Sequence, residues 1–160
     1  MRKLYPEVEC CPLFDPVPWD NQTFVWEQKL FIKERVLTLF NMPLNFGQVM
    51  KKVNKMIENS ACKNPDYLCL SDHYSNFGMD IYFAVDKPVS SAQNVQLDGT
   101  FYSKVYEGSY KEINEWKTDF EKRVGIMEKE IDTLYFWYTT CPKCAKKYER
   151  NYVVLIAKLK

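Results

Sequence analysis

The chain has 160 residues, enough for one domain or a domain of two halves with a real core. Its 22 basic and 21 acidic residues nearly cancel, which argues against bulk attraction to nucleic acid or to an anionic membrane. Aromatic residues make up 16 %, a surplus that asks for a home beyond an ordinary core. No apolar run approaches the ~20 residues of a membrane-spanning helix. The first residues, Met-Arg-Lys-Leu-Tyr-Pro-Glu-Val-Glu, lack the apolar centre of a signal peptide. The expectation is a cytoplasmic protein whose six cysteines are thiols or metal ligands rather than disulfides.

Taken in order, the chain opens with a proline-rich stretch in which Pro6, Pro12, Pro16 and Pro18 preclude long regular structure. Phe14 and Trp19 make it an arm packed on the body, assigned residues 1–32. Thr23–Ile32 is apolar at mixed spacing and leaves strand and short helix both open. Arg35–Phe40 reads as a strand. Asn45 is placed to cap a helix in which Val49, Met50, Val53, Met56 and Ile57 recur at helical spacing, with Lys51, Lys52 and Lys55 opposite. Tyr67–Leu70 and Met79–Val85, joined by a turn around Ser75–Gly78, read as a hairpin. Ser90–Gly99 reads as polar linker.

The second half repeats the order. Phe101–Tyr106 is a strand, and Gly108 and Ser109 lead into a helix with Ile113, Trp116, Phe120 and Val124 on one face and Gly125 as its terminal cap. Leu134–Lys160 closes the chain as a second hairpin. Alternation sends Tyr135 and Trp137 to one face of its first strand and Phe136 and Tyr138 to the other. Both faces of that strand therefore need cover. The helix starts, Asn45 and Ser109, lie about 64 positions apart (109 − 45). The expected fold is α+β: duplicated β-α-β-β units, an antiparallel sheet with two helices on one side and a concave aromatic cleft.

Lys104-Val105-Tyr106-Glu107-Gly108-Ser109-Tyr110, followed by an amphipathic helix containing Trp116, resembles the second half of a GyrI-like small-molecule-binding domain. The same fold serves as the effector-binding domain of AraC-type and multidrug-responsive regulators. The resemblance covers roughly residues 33–160, with halves at 33–89 and 100–160, and Thr140-Cys141-Pro142 falls at the family's Ser/Thr-Asp-Pro turn. Ser109 stands where the family carries proline, and Phe136 where many members carry an acid. The resemblance implies a stand-alone domain that binds hydrophobic, cationic small molecules in an aromatic cleft. One branch of the family hydrolyses reactive electrophilic natural products.

A lipophilic cation calls for flat ring faces and a nearby carboxylate. Candidate walls are Trp26, Tyr82, Tyr106, Tyr110, Tyr135, Trp137 and Tyr138, with Trp19 closing from the arm. Candidate acids are Glu107, Asp80 and Glu27, and Glu107 is the candidate general base if the domain hydrolyses its ligand. Cys141-Pro142-Lys143-Cys144 has the spacing of half a zinc site, for which Cys10 and Cys11 are the remaining close pair. That spacing also suits an unliganded pair, so the expectation is no cofactor, with zinc as the alternative and a zinc-stabilised interaction protein as the third functional reading. His73 reads as a turn or surface residue, and Cys62 and Cys69 as ordinary small side chains.

Overall fold

The computed structural model of the chain describes residues 14–39, 42–139 and 151–160. These form two compact units. The N-terminal unit is Glu27–Asp98; the C-terminal unit combines residues 14–26 with Gly99–Lys160.

The N-terminal unit draws on β1 (Gln22–Leu39), the short β2 (Met42–Pro43), α1 (Phe46–Asn59), β3 (Cys69–Ser75) and β4 (Gly78–Ala84). β4 is central: β1 pairs with it antiparallel, placing Ile32 opposite Phe83 and Val36 opposite Met79, and β3 pairs along its other edge. The apolar stripe of α1 (Val49, Val53, Met56, Ile57) packs on Ile32, Val36, Met79, Ile81 and Phe83. Burial of that stripe carries the helix, because isolated helices of this length are marginal. Asn45 precedes α1 as expected, but its side chain does not cap the helix; Oδ1 accepts the Leu37 N–H at 2.9 Å and ties the helix entry to β1. The Thr23–Ile32 ambiguity resolves as strand. Its mixed spacing has a local cause: Gln28 sits at φ +52°, which interrupts the two-residue alternation, and its N–H goes to Asp98 Oδ1.

Ser90–Gly99 is mostly not linker. β5 runs Gln93–Glu107, and its partly buried Val95 and Leu97 alternate with exposed polar residues. In the C-terminal unit β5 is followed by α2 (Ile113–Ile126), β6 (Ile131–Tyr138) and β7 (Tyr152–Leu159). β7 is central here, paired antiparallel with β5 and with β6. Trp116, Phe120 and Val124 of α2 pack on Tyr102, Phe136, Val153, Leu155 and Ala157. Ser109 starts the helical region with a capping box: its N–H donates to Glu112 Oε2 at 2.8 Å, and its Oγ accepts the Lys111 N–H at 3.2 Å. Gly125 lies inside the last turn of α2 rather than beyond it. The helix ends at Ile126 with Met127 as its C-cap, and the following Glu128 takes the left-handed conformation at φ +60°.

Each unit thus runs strand, helix, hairpin, with its first strand paired to its last. The fold is α+β, built from two β-α-β-β units.

Candidate ligand-binding surfaces

Each unit packs its helix on one sheet face and leaves the opposite face to other contacts. In the C-terminal unit, strand alternation and register put Phe101, Ser103 and Val105 of β5 in rows with Tyr135 and Trp137 of β6 and Val154 and Ile156 of β7. Residues 14–26 lie over this surface. Trp137 is met edge-on by Trp19 at 5.0 Å and by Phe14 at 5.3 Å between ring centroids. Trp26 packs on Phe101 at 4.5 Å, and Phe24 stacks on the same ring at 5.9 Å. Polar bonds fix the register of this covering segment. Ser103 Oγ donates to the Trp19 carbonyl at 2.6 Å, the Val105 N–H to Asp20 Oδ1 at 3.1 Å, and the Tyr102 hydroxyl to Asn21 Oδ1 at 2.7 Å. A cavity of about 310 Å³ opens among Pro18, Trp19, Thr23, Phe24, Val25 and Trp26. That volume sits at the small end of ligand pockets.

The aromatic residues expected to form one wall are divided by the pleat. Trp26, Tyr135 and Trp137 belong to the helix-free side, together with Trp19. Tyr106, Tyr110 and Tyr138 pack on the α2 side: Tyr106 stacks on Trp116 at 5.7 Å, and Tyr110 meets Tyr138 edge-on at 6.0 Å. The Tyr106 hydroxyl donates to Asp119 Oδ2 at 2.7 Å, and Arg123 Nε donates to the same oxygen at 2.9 Å. Burial, then that bond to Asp119, pushes the Tyr106 phenol up, while the Tyr106 and Arg123 bonds hold Asp119 below its ordinary value. Burial, reinforced by Tyr110, pushes Tyr138 up as well. Glu107 ends β5 and Glu27 lies in β1, both exposed.

The helix-free face of the N-terminal unit is different in kind. Register sets Lys33, Tyr82 and Leu70 in one row across β1, β4 and β3, and Arg35, Asp80 and Asp72 in the next. Asp80 is only 8 % exposed. It pairs with Lys33 at 3.4 Å and with Arg35 at 3.7 Å. The Lys33 ammonium stands 5.7 Å from the Tyr82 ring centre, and Phe31 meets that ring edge-on at 6.4 Å. Burial works to lower the Lys33 pKa, but Tyr82 and Asp80 outweigh it and leave the amine above its usual value. Burial, then the facing Asp80, raises Asp72. Tyr82 and Asp80 were legible as candidates; Lys33 and Asp72 were missed, because the signal that finds them is cross-strand register.

His73, on β3, is partly buried, and burial lowers its pKa. Burial raises the Cys62 thiol and pushes Cys69 up to about 12, so both stay protonated and unreactive at neutral pH. Cys10, Cys11, Cys141 and Cys144 lie outside the described residues; among the described residues no group of three or more His, Cys, Asp or Glu is placed to hold a metal. Among the same residues, no helix is long and apolar enough to cross a membrane.

Two duplicated β-α-β-β units with these faces define a class, and a solved structure shares it. The crystal structure of the EcmrR C-terminal domain superposes with a TM-score of 0.64 over 89 % of this chain and 98 % of that one, at 9 % identity. That domain has the GyrI-like fold, and at this identity the likeness establishes the fold alone. Residues 1–159 match the bacterial hydrolase family, and the chain belongs to that family. No curated protein sequence matches it.

Proposed function

We propose that the chain binds hydrophobic small molecules on the aromatic, helix-free surface of its C-terminal unit. The observation that carries this is the ring cluster Trp19, Phe24, Trp26, Phe101 and Trp137, with its cavity of about 310 Å³ beside three of those rings. The GyrI-like fold supports the reading. A preference for cations rests on the ring faces, which attract positive charge by about 0.5–2 kcal/mol per contact. Among the described residues no carboxylate borders the cavity, and the nearby Asp20 is engaged with Lys104 and the Val105 N–H. The reading places the protein in the cytoplasm, where such binding amounts to sequestration.

Fluorescence anisotropy of a lipophilic cationic dye and a neutral dye of similar size, each titrated with the protein, tests this. Binding that weakens at least tenfold in Trp26→Ala supports the aromatic site, and the ratio between dyes measures the cation preference. Failure of both dyes to bind would remove the proposal.

The second reading is hydrolysis of an electrophilic small molecule. It is favoured by membership of the bacterial hydrolase family and by the carboxylate, amine and phenol gathered on the N-terminal unit. Its test is turnover of a reactive epoxide or activated ester by the purified protein, and absence of product from both would end it.

A further inference from the structure

We infer that Asp72 is the general base of a hydrolytic site on the helix-free face of the N-terminal unit, with Lys33 as proton donor and Asp80 as the residue that positions Lys33. This deepens the hydrolytic reading above and rests on it.

The argument begins with an anomaly of pairing. Asp72 and Asp80 are direct cross-strand partners. Like charges directly opposite each other destabilise a sheet. The two are not equivalent, however. Asp80 is buried and takes both available cations, Lys33 at 3.4 Å and Arg35 at 3.7 Å. Asp72 is half-buried, and the charges acting on its carboxyl are Asp80, which raises it, and Lys33, which lowers it. The groups facing it within this unit are Asp80 and Tyr82 on β4 and Lys33 and Arg35 on β1. On its own strand Tyr74 is engaged by the Arg35 guanidinium, 5.3 Å from the ring centre. A carboxyl pair with separated environments is how proteins assign one acid to hold charge and another to exchange protons. Burial, then Asp80, raises the Asp72 carboxyl above its ordinary value, the direction that makes its carboxylate a stronger base.

The chemistry balances without a further reactant. The Asp72 carboxylate takes one proton from a water molecule as the water oxygen bonds to an electrophilic carbon. The bond from that carbon to its leaving oxygen or nitrogen breaks, and the electron pair stays on the leaving atom. An alkoxide, as from an opened epoxide, takes a proton from the Lys33 ammonium, whereas a weakly basic leaving group such as 4-nitrophenolate departs as the anion and the Asp72 proton passes to solvent. In the alkoxide case, transfer of the proton from Asp72 through solvent to the Lys33 amine restores both groups. Phe31, Leu70 and the Tyr82 ring supply apolar surface around the charges, so the substrate class is an uncharged hydrophobic molecule with a strained or activated carbon–heteroatom bond.

The test uses the full chain with styrene oxide and 4-nitrophenyl acetate as probes, assayed from pH 4 to 9. Wild-type kcat/KM is expected to rise with pH through an inflection above the ordinary carboxylate range. Asp72→Asn is expected to lose at least ~100-fold in kcat/KM, in the range general-base catalysis contributes. Asp80→Asn is expected to move the inflection to lower pH, a readout that a merely structural role leaves in place. Glu115→Gln, on the exposed side of α2, serves as the unchanged control. A ¹³C-carboxyl titration of wild-type protein needs no variant to fold and is expected to show one aspartate titrating late. Asp72→Asn as active as wild type, or loss on Glu107→Gln instead, overturns the proposal while leaving hydrolysis standing. An inflection at the ordinary carboxylate value also overturns it. Turnover of neither probe by wild type ends the hydrolytic reading and the proposal with it.

Discussion

Replacing Trp137 by alanine is the perturbation that most directly probes whether the aromatic layer of the C-terminal unit is packed structure. Trp137 is 4 % exposed and sits on the sheet face that α2 does not cover. Its cover is the segment containing Phe14 and Trp19, whose rings meet it at 83° in both cases. A tryptophan buries about 150–250 Å². At ~25 cal/mol per Å² that corresponds to about 4–6 kcal/mol of transfer free energy. Alanine keeps part of it, and measured Trp→Ala costs of about 3–5 kcal/mol bracket the expectation. With a urea m-value near 2 kcal/mol per M, the unfolding midpoint should fall by about 2 M. Urea unfolding followed by far-UV circular dichroism measures this, and chymotrypsin reports release of the cover by cleavage after Trp19 or Phe24. Val25→Ala, at a side chain 62 % exposed, is the comparison and should cost under about 0.5 kcal/mol. A Trp137→Ala loss below about 1 kcal/mol, with no new cleavage, refutes the packed-layer argument. The surface beneath residues 14–26 would then have to be regarded as loosely covered and open to ligand.

Three further outcomes are expected. Gly108 has φ +151°, and a Cβ there runs into the Glu112 carboxylate of the capping box, so Gly108→Ala should cost about 2 kcal/mol and lower Tm by about 5 °C in a calorimetric scan. Tyr106→Phe removes the bond to Asp119 and should cost about 1 kcal/mol at pH 7. Because Asp119 is held below its unfolded value, its stabilisation is present above that value and lost as pH falls through the folded one; the variant's deficit should therefore shrink toward pH 2, as paired urea titrations would reveal. Asp72 has the opposite sign. Its folded value is raised, so its contribution is full below the unfolded value and lost as pH rises through the folded one; Asp72→Asn should gain about 0.5 kcal/mol at pH 7 from relief of the cross-strand repulsion and nothing near pH 3. An Asp72→Asn variant less stable than wild type at pH 7 would contradict the opposed-carboxylate geometry.

Much of the architecture was legible because it is local. The stripes Val49, Val53, Met56, Ile57 and Trp116, Phe120, Val124 declare their helices by 3.6-residue spacing, and both cores use those residues. Gly108 and Ser109 lead into the second helix as read, and the structure adds the capping box that Ser109 forms with Glu112. Where local reading went astray, competing interactions explain it. Asn45 has the right residue type for a cap, yet a backbone donor on β1 takes its oxygen. Gly125 suits a helix end, yet the helix continues through it to Ile126 and is capped by Met127. Polar Ser90–Gly99 looks like linker because its strand portion has only Val95 and Leu97 on its apolar side.

The functional surfaces were harder. Trp137 and Tyr138 are neighbours in sequence and equally aromatic, but the pleat sends one to the cover segment and the other to α2. Sequence alone determined the order of elements, their buried faces and the excess of rings needing a partner, since each follows from spacing along a short stretch. Only tertiary structure decided that Trp19 covers Trp137, over 100 positions away, and that Asp72 stands opposite Asp80 beside Lys33. Strand register and long-range packing bring such groups together, and a one-residue slip in either would put every one of these side chains on the other face.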